Sequence, residues 1–392
     1  MKKKLLIIAN STTYHQAPRG IQANRIIAYL AGIVNVFLIT SNKSIPDHND
    51  YFDKKIKFIY VLKQSSNNYF RFQQFFLGFL GSFDFFFMIK SYRKARKILK
   101  QNKIDIVVTH SVKISNAFTG ALLKLRLGNN IKVISFYSDP FSFNNYINNL
   151  GFKKRIVLKL EKFLFKNQDI IVFPSKIMVQ RYQELYPEYF HKFRHIPHSY
   201  IKNNDSRDSE IIKSRIKNKK IIISYIGSLN NIRNPIFILD YIEKNISFFK
   251  GNIRFEFVGP KSRDLLDDYS KRKGIHDIVK YIPKINVKKA EELAMASDIL
   301  LLMDANVDRS PYLPSKLVDY LSYNTPIIGF SNKNGESYRV LKESKHFPLE
   351  FIEIYKLKDL INEILSNYNK WDFESLDYDI NNVGDSWLKI LN

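Results

Sequence analysis

Short apolar runs alternate with amphipathic stretches along nearly the whole chain, and the alternation breaks once. In the first part the runs fall at residues 4–9, 34–40, 56–60, 104–109, 133–137 and 170–173, with amphipathic segments such as 22–31 and 91–101 between them. The stretch 202–220, KNNDSRDSEIIKSRIKNKK, is polar and charged. The alternation then restarts at 221–226, 254–258, 279–281, 299–303 and 326–329. Runs this short and this uniformly apolar suit strands buried on both faces, and helices between them suit crossovers of a parallel sheet. The expected fold class is α/β, with two doubly wound, Rossmann-like domains. The first covers residues 1–201 and the second 202–370, while 371–392 forms a C-terminal helical segment returning to the first domain. Ligands of such sheets sit beyond the C-terminal strand ends, so two facing domains place the expected site in an inter-domain cleft.

A length of 392 residues accommodates two such domains. The chain has no cysteine. That excludes a disulfide framework, a thiolate metal site, an iron–sulfur cluster and a cysteine nucleophile. The net charge of +25 is unevenly placed. Residues 1–200 hold 32 basic and 10 acidic side chains, whereas residues 201–392 hold 30 and 27. A strongly basic half implies an anionic counterpart such as a membrane surface. Residues 5–9 are too short an apolar run for a signal peptide and read as a first strand. Segment 72–89 reaches spanning length, but Gln73, Gln74 and Asp84 interrupt it. Nine phenylalanines between Phe70 and Phe87 precede the basic stretch 90–103, in which Lys90, Arg93, Lys94, Lys97 and Lys100 share one helix side. Aromatic and basic faces side by side suit an interfacial membrane contact.

The most specific stretch is 312–330, YLPSKLVDYLSYNTPIIGF. Pro314, Ser315 and Lys316 open a helix, whose start would offer backbone N–H groups and a cation to an anion. Asp319 lies one turn on, where it could accept from ribose hydroxyls. Upstream, 221–235 reads IIISYIGSLNNIRNP. There a strand ends at Gly227, Ser228 and Leu229, and Arg233 follows before a helix. Glycine permits close approach to a phosphate, and arginine can clamp it. IRFEFVGP (253–260), VKYIPKI (279–285) and EELAMASDILLLM (291–303) follow in order.

This ordered set resembles the donor-binding domain of GT-B fold glycosyltransferases of the family 4 type. The first half carries matching features: IDIVVTHS ending at His110, KVISFYSDP delivering Asp139, KLEKFLFKNQDIIVFPSK, FRHIPHSY, and HQAPRGIQANR after the first strand. The resemblance implies a retaining transferase that uses a nucleotide diphosphate sugar, with no cofactor and no metal. It implies that Arg233 and Lys316 face the donor diphosphate and that the backbone around Ser315 and Leu317 caps it. Asp319 would hold the ribose, and Tyr281, Ile282 and Pro283 would read the base. His110 and Asp139 would stand near the reacting centre with Arg233 and Lys316. His15, Arg19, Gly20 and Arg25 would serve the acceptor. Three positions depart from the family pattern. Pro311 stands where the family often has a glutamate, leaving Asp304 and Asp308 as candidates for holding the sugar hydroxyls. Asp319 replaces a glutamate, and Arg19-Gly20 stands where two glycines are common.

The expected partners are a nucleotide-sugar donor, a lipid-linked or saccharide acceptor of bacterial surface polysaccharide synthesis, and an anionic membrane surface. The expected location is cytoplasmic, peripheral at the inner face of the membrane. A GT-B epimerase or phosphorylase is the alternative, although no acid/base carboxylate pair is evident. A nucleic-acid-binding protein would fit the charge, but no helix-turn-helix, zinc or RNA-recognition signature occurs. His191, His195 and His198 read as strand and loop residues rather than metal ligands.

Overall fold

The computed structural model describes residues 3–12, 18–41, 56, 58–62, 83–111, 114–143, 151–202, 220–229, 233–260, 269–271, 273–367, 371, 373, 374 and 376–392, the side chains of 18, 19, 152 and 153 excepted. The chain divides into two compact units, Met1–Ser199 with Tyr378–Asn392, and Tyr200–Asp377.

Seven parallel strands form the sheet of the first unit: β1 (Lys4–Ile8), β2 (Asn35–Ser41), β3 (Phe58–Leu62), β4 (Ile106–Ser111), β5 (Lys132–Tyr137), β6 (Ile170–Phe173) and β7 (Phe193–His195). Their spatial order is β3-β2-β1-β4-β5-β6-β7. The period of two explains the fully apolar runs. Leu5 and Ile7 enter one core layer with Val108 and Phe136, while Leu6 and Ile8 enter the opposite layer with Val107 and Val133. The helix Ile380–Leu391 belongs to this unit, capped by Asp379, whose side chain accepts from the Asn381 N–H at 2.9 Å. Its buried face, Val383, Gly384 and Trp387, meets helix Pro18–Ile33, where the Tyr29 ring leaves no room for a Cβ at Gly384. The return begins at Tyr378 rather than at 371, because Trp371 and Phe373 pack on Phe347 and stay with the second unit.

The second unit holds six parallel strands: β8 (Ile221–Ile226), β9 (Ile253–Val258), β10 (Val279–Ile282), β11 (Ile299–Met303), β12 (Ile327–Phe330) and β13 (Phe347–Leu349). Their order is β10-β9-β8-β11-β12-β13. Each sheet reverses direction once, between β1 and β4 and between β8 and β11. Such reversals open a crevice at the carboxyl strand ends, so each unit has one preferred ligand position.

Among the described residues no helix is long and apolar enough to cross a membrane. Residues 72–82 lie outside the described residues, and the remainder of the aromatic segment enters helix Phe85–Asn102, capped by Asp84. That helix buries Phe87, Met88, Ala95, Ile98 and Leu99 and exposes Phe85, Lys90, Arg93, Arg96, Lys97 and Lys100. Lys94 departs from the expected basic side, lying 4.2 Å from the centre of the Tyr60 ring.

Candidate functional site

In the second unit, Gly227 follows β8 and Asp304 follows β11, so the two flank the strand reversal. Gly227 has φ +149°, a backbone state that side-chain-bearing residues rarely adopt. Its N–H donates to the Val258 carbonyl at 2.7 Å, and the Gly259 N–H donates to the Ile282 carbonyl at 3.0 Å. Gly259 approaches the Gly227 carbonyl so closely that no Cβ fits between them. The ends of β8, β9 and β10 therefore form one tight backbone edge, closed by the Tyr281 hydroxyl, which donates to the Gly259 carbonyl at 2.7 Å.

Lys316, on helix Ser315–Leu321, reaches across to this edge. Its ammonium donates to the Tyr225 hydroxyl at 2.6 Å and lies 3.8 Å from the centre of that ring. Burial, reinforced by the charge of Arg233, holds Lys316 well below the usual ammonium range, against the opposing charge of Asp304. Asp304 is wholly buried, and burial pushes its carboxyl up against the opposing pull of two hydrogen bonds and the nearby Arg233 and Lys316. The arrangement places two cations and one carboxylate at the carboxyl end of a sheet, a competent seat for a diphosphate.

Several expected residues take other parts. Asp304 accepts from the Ser337 hydroxyl at 2.6 Å and from the Ala305 N–H at 2.7 Å, so both oxygens face inward and it acts as a buried counter-charge. Asp308 accepts from the Asn334 side chain at 3.1 Å on an exposed loop. Leu229 and Leu317 are buried apolar side chains, which limits any ligand contact to their backbone. Helix Ser315–Leu321 spans only seven residues, so positive charge at this spot comes chiefly from side chains rather than from a helix dipole. Ser315, Asp319, Tyr281 and Ile282 are half-buried, and Ser228 and Pro283 are exposed. Sequence reasoning did not single out Tyr225, Ser337 or the Tyr320 hydroxyl, which accepts from the Ile226 N–H at 3.0 Å.

In the first unit, His110 is the penultimate residue of β4, beside the strand reversal. Its ring stacks on Phe136 at 4.6 Å, and burial lowers it to about 4, so it is neutral near pH 7. Asn116 donates to the Asn10 side chain at 3.2 Å and to the His110 carbonyl at 2.8 Å, joining the ends of β1 and β4. Asp139 is half-buried two residues past β5. Arg25 is buried and donates to the Ser199 carbonyl at 2.6 Å, while Gln22 accepts from the Ser199 N–H at 2.9 Å. Arg25 thus braces the end of this unit rather than standing open to a ligand. Gly20 is buried within helix Pro18–Ile33, whereas His15 and the Arg19 side chain lie outside the described residues. The buried His110 Nδ1, Ser111 Oγ, Ser199 Oγ and Gln22 Nε2 have no hydrogen-bond partner among the described residues. Groups of this kind suit a polar ligand. No set of three or more His, Asp or Glu side chains arranged to hold a metal occurs among the described residues.

Residues 33–199 match Glycosyltransferase Family 4. Among curated proteins none matches the chain. Solved structures share the fold across nearly its whole length. The Anabaena protein Alr3699/HepE, solved in complex with UDP and glucose, is 11% identical, with a TM-score of 0.65 and 99% of each chain covered. A glycosyltransferase from Rickettsia africae ESF-5 is 14% identical, with a TM-score of 0.65, covering 99% of this chain and 97% of that one. The lipopolysaccharide outer core galactosyltransferase WaaB is 14% identical, with a TM-score of 0.61 and 99% of each chain covered. Its two parallel sheets give the chain the two-domain fold of these solved glycosyltransferases, and its segment 33–199 matches Glycosyltransferase Family 4.

Proposed function

We propose that this protein moves a sugar from a nucleotide diphosphate sugar to a lipid-linked saccharide at a membrane surface, with retention of configuration. The observation that carries the donor assignment is the Lys316 ammonium, held against Gly227 beside Arg233 and Asp304. The Anabaena relative was solved with UDP and with UDP-glucose, which favours a UDP-sugar. WaaB is named for lipopolysaccharide outer core, which favours an acceptor of bacterial surface polysaccharide synthesis.

In this reading the second unit binds the donor. Arg233 and Lys316 offset the charge that grows on the diphosphate as the anomeric C–O bond breaks. Asp319 holds the ribose, and the backbone near Tyr281 reads the base. The first unit binds the acceptor. Its polar groups around His110 orient a hydroxyl, whose oxygen bonds to the anomeric carbon from the face the leaving group departs. The proton passes to a leaving phosphate oxygen. No resident metal or cofactor is assigned. The exposed basic side of helix Phe85–Asn102, with Phe85 at its start, meets anionic lipid at the inner face of the cytoplasmic membrane.

The decisive experiment is thermal shift against UDP-, GDP-, ADP- and CDP-sugars, with Arg233→Ala and Asp319→Ala as controls. Stabilisation by one nucleotide, lost in both variants, is the expected result. Equal stabilisation of the wild type and both variants would sink the site assignment.

A further inference from the structure

Tyr225 is the penultimate residue of β8, with its ring wholly buried and tilted on Phe257 at a centroid distance of 6.1 Å. Its position in a buried strand accounts for the ring but not for the hydroxyl. That hydroxyl is 3.0 Å from the Ser228 carbonyl and 2.6 Å from the Lys316 nitrogen. A phenol has one proton, and a carbonyl can only accept it. The proton therefore goes to Ser228, and the lone pair is left for the Lys316 ammonium. The ammonium also sits on the ring face, 3.8 Å from its centre. One side chain thus ties Lys316 to the turn Gly227–Ser228. The charged groups acting on Lys316 are Arg233, which repels it, and Asp304, which attracts it.

We propose that Tyr225 is a positioning residue for the donor site, holding the Lys316 ammonium against the Gly227–Ser228 turn so that a diphosphate meets it already placed. The inference rests on the reading of Lys316 as a diphosphate contact. Tyr225 acts through Lys316 and not by touching the ligand. A flexible lysine left unrestrained would have to be ordered at the moment of binding, which weakens affinity. The hydroxyl also favours the charged form of Lys316, because it accepts from the ammonium.

The test uses the full chain and inorganic pyrophosphate, titrated calorimetrically from pH 6 to 9. The proteins are wild type, Tyr225→Phe, Lys316→Ala and the double variant. Phenylalanine keeps the ring and its packing, and unchanged thermal melting checks that the fold is kept. The expected result is binding weakened roughly tenfold by Tyr225→Phe, the scale of one hydrogen bond to a charged group. In the Lys316→Ala background the same substitution should do nothing further. The alkaline limb of the binding profile should move to lower pH in Tyr225→Phe, a change that a merely structural role would not produce. If Lys316→Ala weakens binding but Tyr225→Phe matches wild type, weakens both backgrounds equally or leaves the pH limb in place, the positioning role is overturned and the donor reading survives. If wild type does not bind, or Lys316→Ala binds as tightly as wild type, the donor reading falls and the inference falls with it.

Discussion

A Cβ placed on Gly227 would lie 2.5 Å from the Lys316 nitrogen, so the missing side chain of one residue makes room for the charge of the other. Gly227→Ala should therefore act twice. The positive φ strains any side-chain-bearing residue, costing on the order of 1–3 kcal/mol of stability. The methyl group also pushes the ammonium off the Tyr225 ring, so nucleotide-sugar stabilisation should be largely lost. Comparing urea midpoints with ligand-induced thermal shifts separates the two effects. A variant that loses stability yet retains the full ligand shift would contradict the second.

Donor binding should take up protons. Lys316 is held well below the usual ammonium range, chiefly by burial and then by Arg233. A bound diphosphate supplies opposing negative charge and draws Lys316 back to its charged form. Affinity should accordingly fall as pH rises past the depressed value of the free site. Calorimetry in two buffers of different ionisation enthalpy measures the uptake directly. Identical heats in both buffers, with Lys316→Ala behaving like wild type, would remove this linkage.

The two sheets were legible because apolar runs buried on both faces leave a plain signal. Of the three-residue strands, β7 was legible only around His195 and β13 was not legible. Arg194 and Pro348 interrupt them, and both occupy sheet edges, where such residues are tolerated. Arg233 and Lys316 stand out in local motifs, and the structure brings Lys316 to the end of β8. Tyr225 does not stand out, because a tyrosine in a buried strand reads as core and its partner lies 91 residues away. Asp304 read as an open carboxylate until Ser337 turned it inward. Arg25 read as a ligand contact, although its acceptor, the Ser199 carbonyl, is 174 residues distant.

Arg25→Ala should lower stability whatever ligand is present. The guanidinium is buried, and its loss leaves the Ser199 carbonyl without this donor. Removing a charged donor to a buried acceptor costs on the order of 1–3 kcal/mol. Arg25→Lys, lacking the fork, should recover only part of it. Urea unfolding gives the number. Wild-type stability in Arg25→Ala would return the residue to the open, ligand-facing role.

His110 should make the first unit acid-sensitive. Its folded value of about 4 lies below the ordinary 6.5, because burial disfavours the charged ring. The neutral form is thus preferred in the folded state. This contribution is fully present above pH 6.5 and is lost as pH falls through about 4. Its size is about 3 kcal/mol at roughly 1.4 kcal/mol per pH unit. His110→Gln, which does not titrate in this range, should flatten the fall in urea midpoint between pH 6.5 and 4. An equally steep fall in that variant would assign the acid sensitivity elsewhere.

The basic helix offers the sharpest test of the membrane reading, because its exposed charges stand apart from the buried side that holds the fold. Lys90, Arg93 and Lys97 are exposed, whereas Phe87, Ala95, Ile98 and Leu99 on the same helix are buried. Each cation near an anionic surface contributes about 1 kcal/mol, so losing three weakens binding on the order of a hundredfold. The triple variant Lys90→Glu, Arg93→Glu, Lys97→Glu should stop sedimenting with phosphatidylglycerol vesicles at physiological salt. It should still be stabilised by the nucleotide sugar to the wild-type extent. Wild-type sedimentation should itself weaken as salt rises, since the attraction is screened within a Debye length. Vesicle binding that survives both the charge reversals and high salt would instead place the contact in apolar groups such as the exposed Phe85.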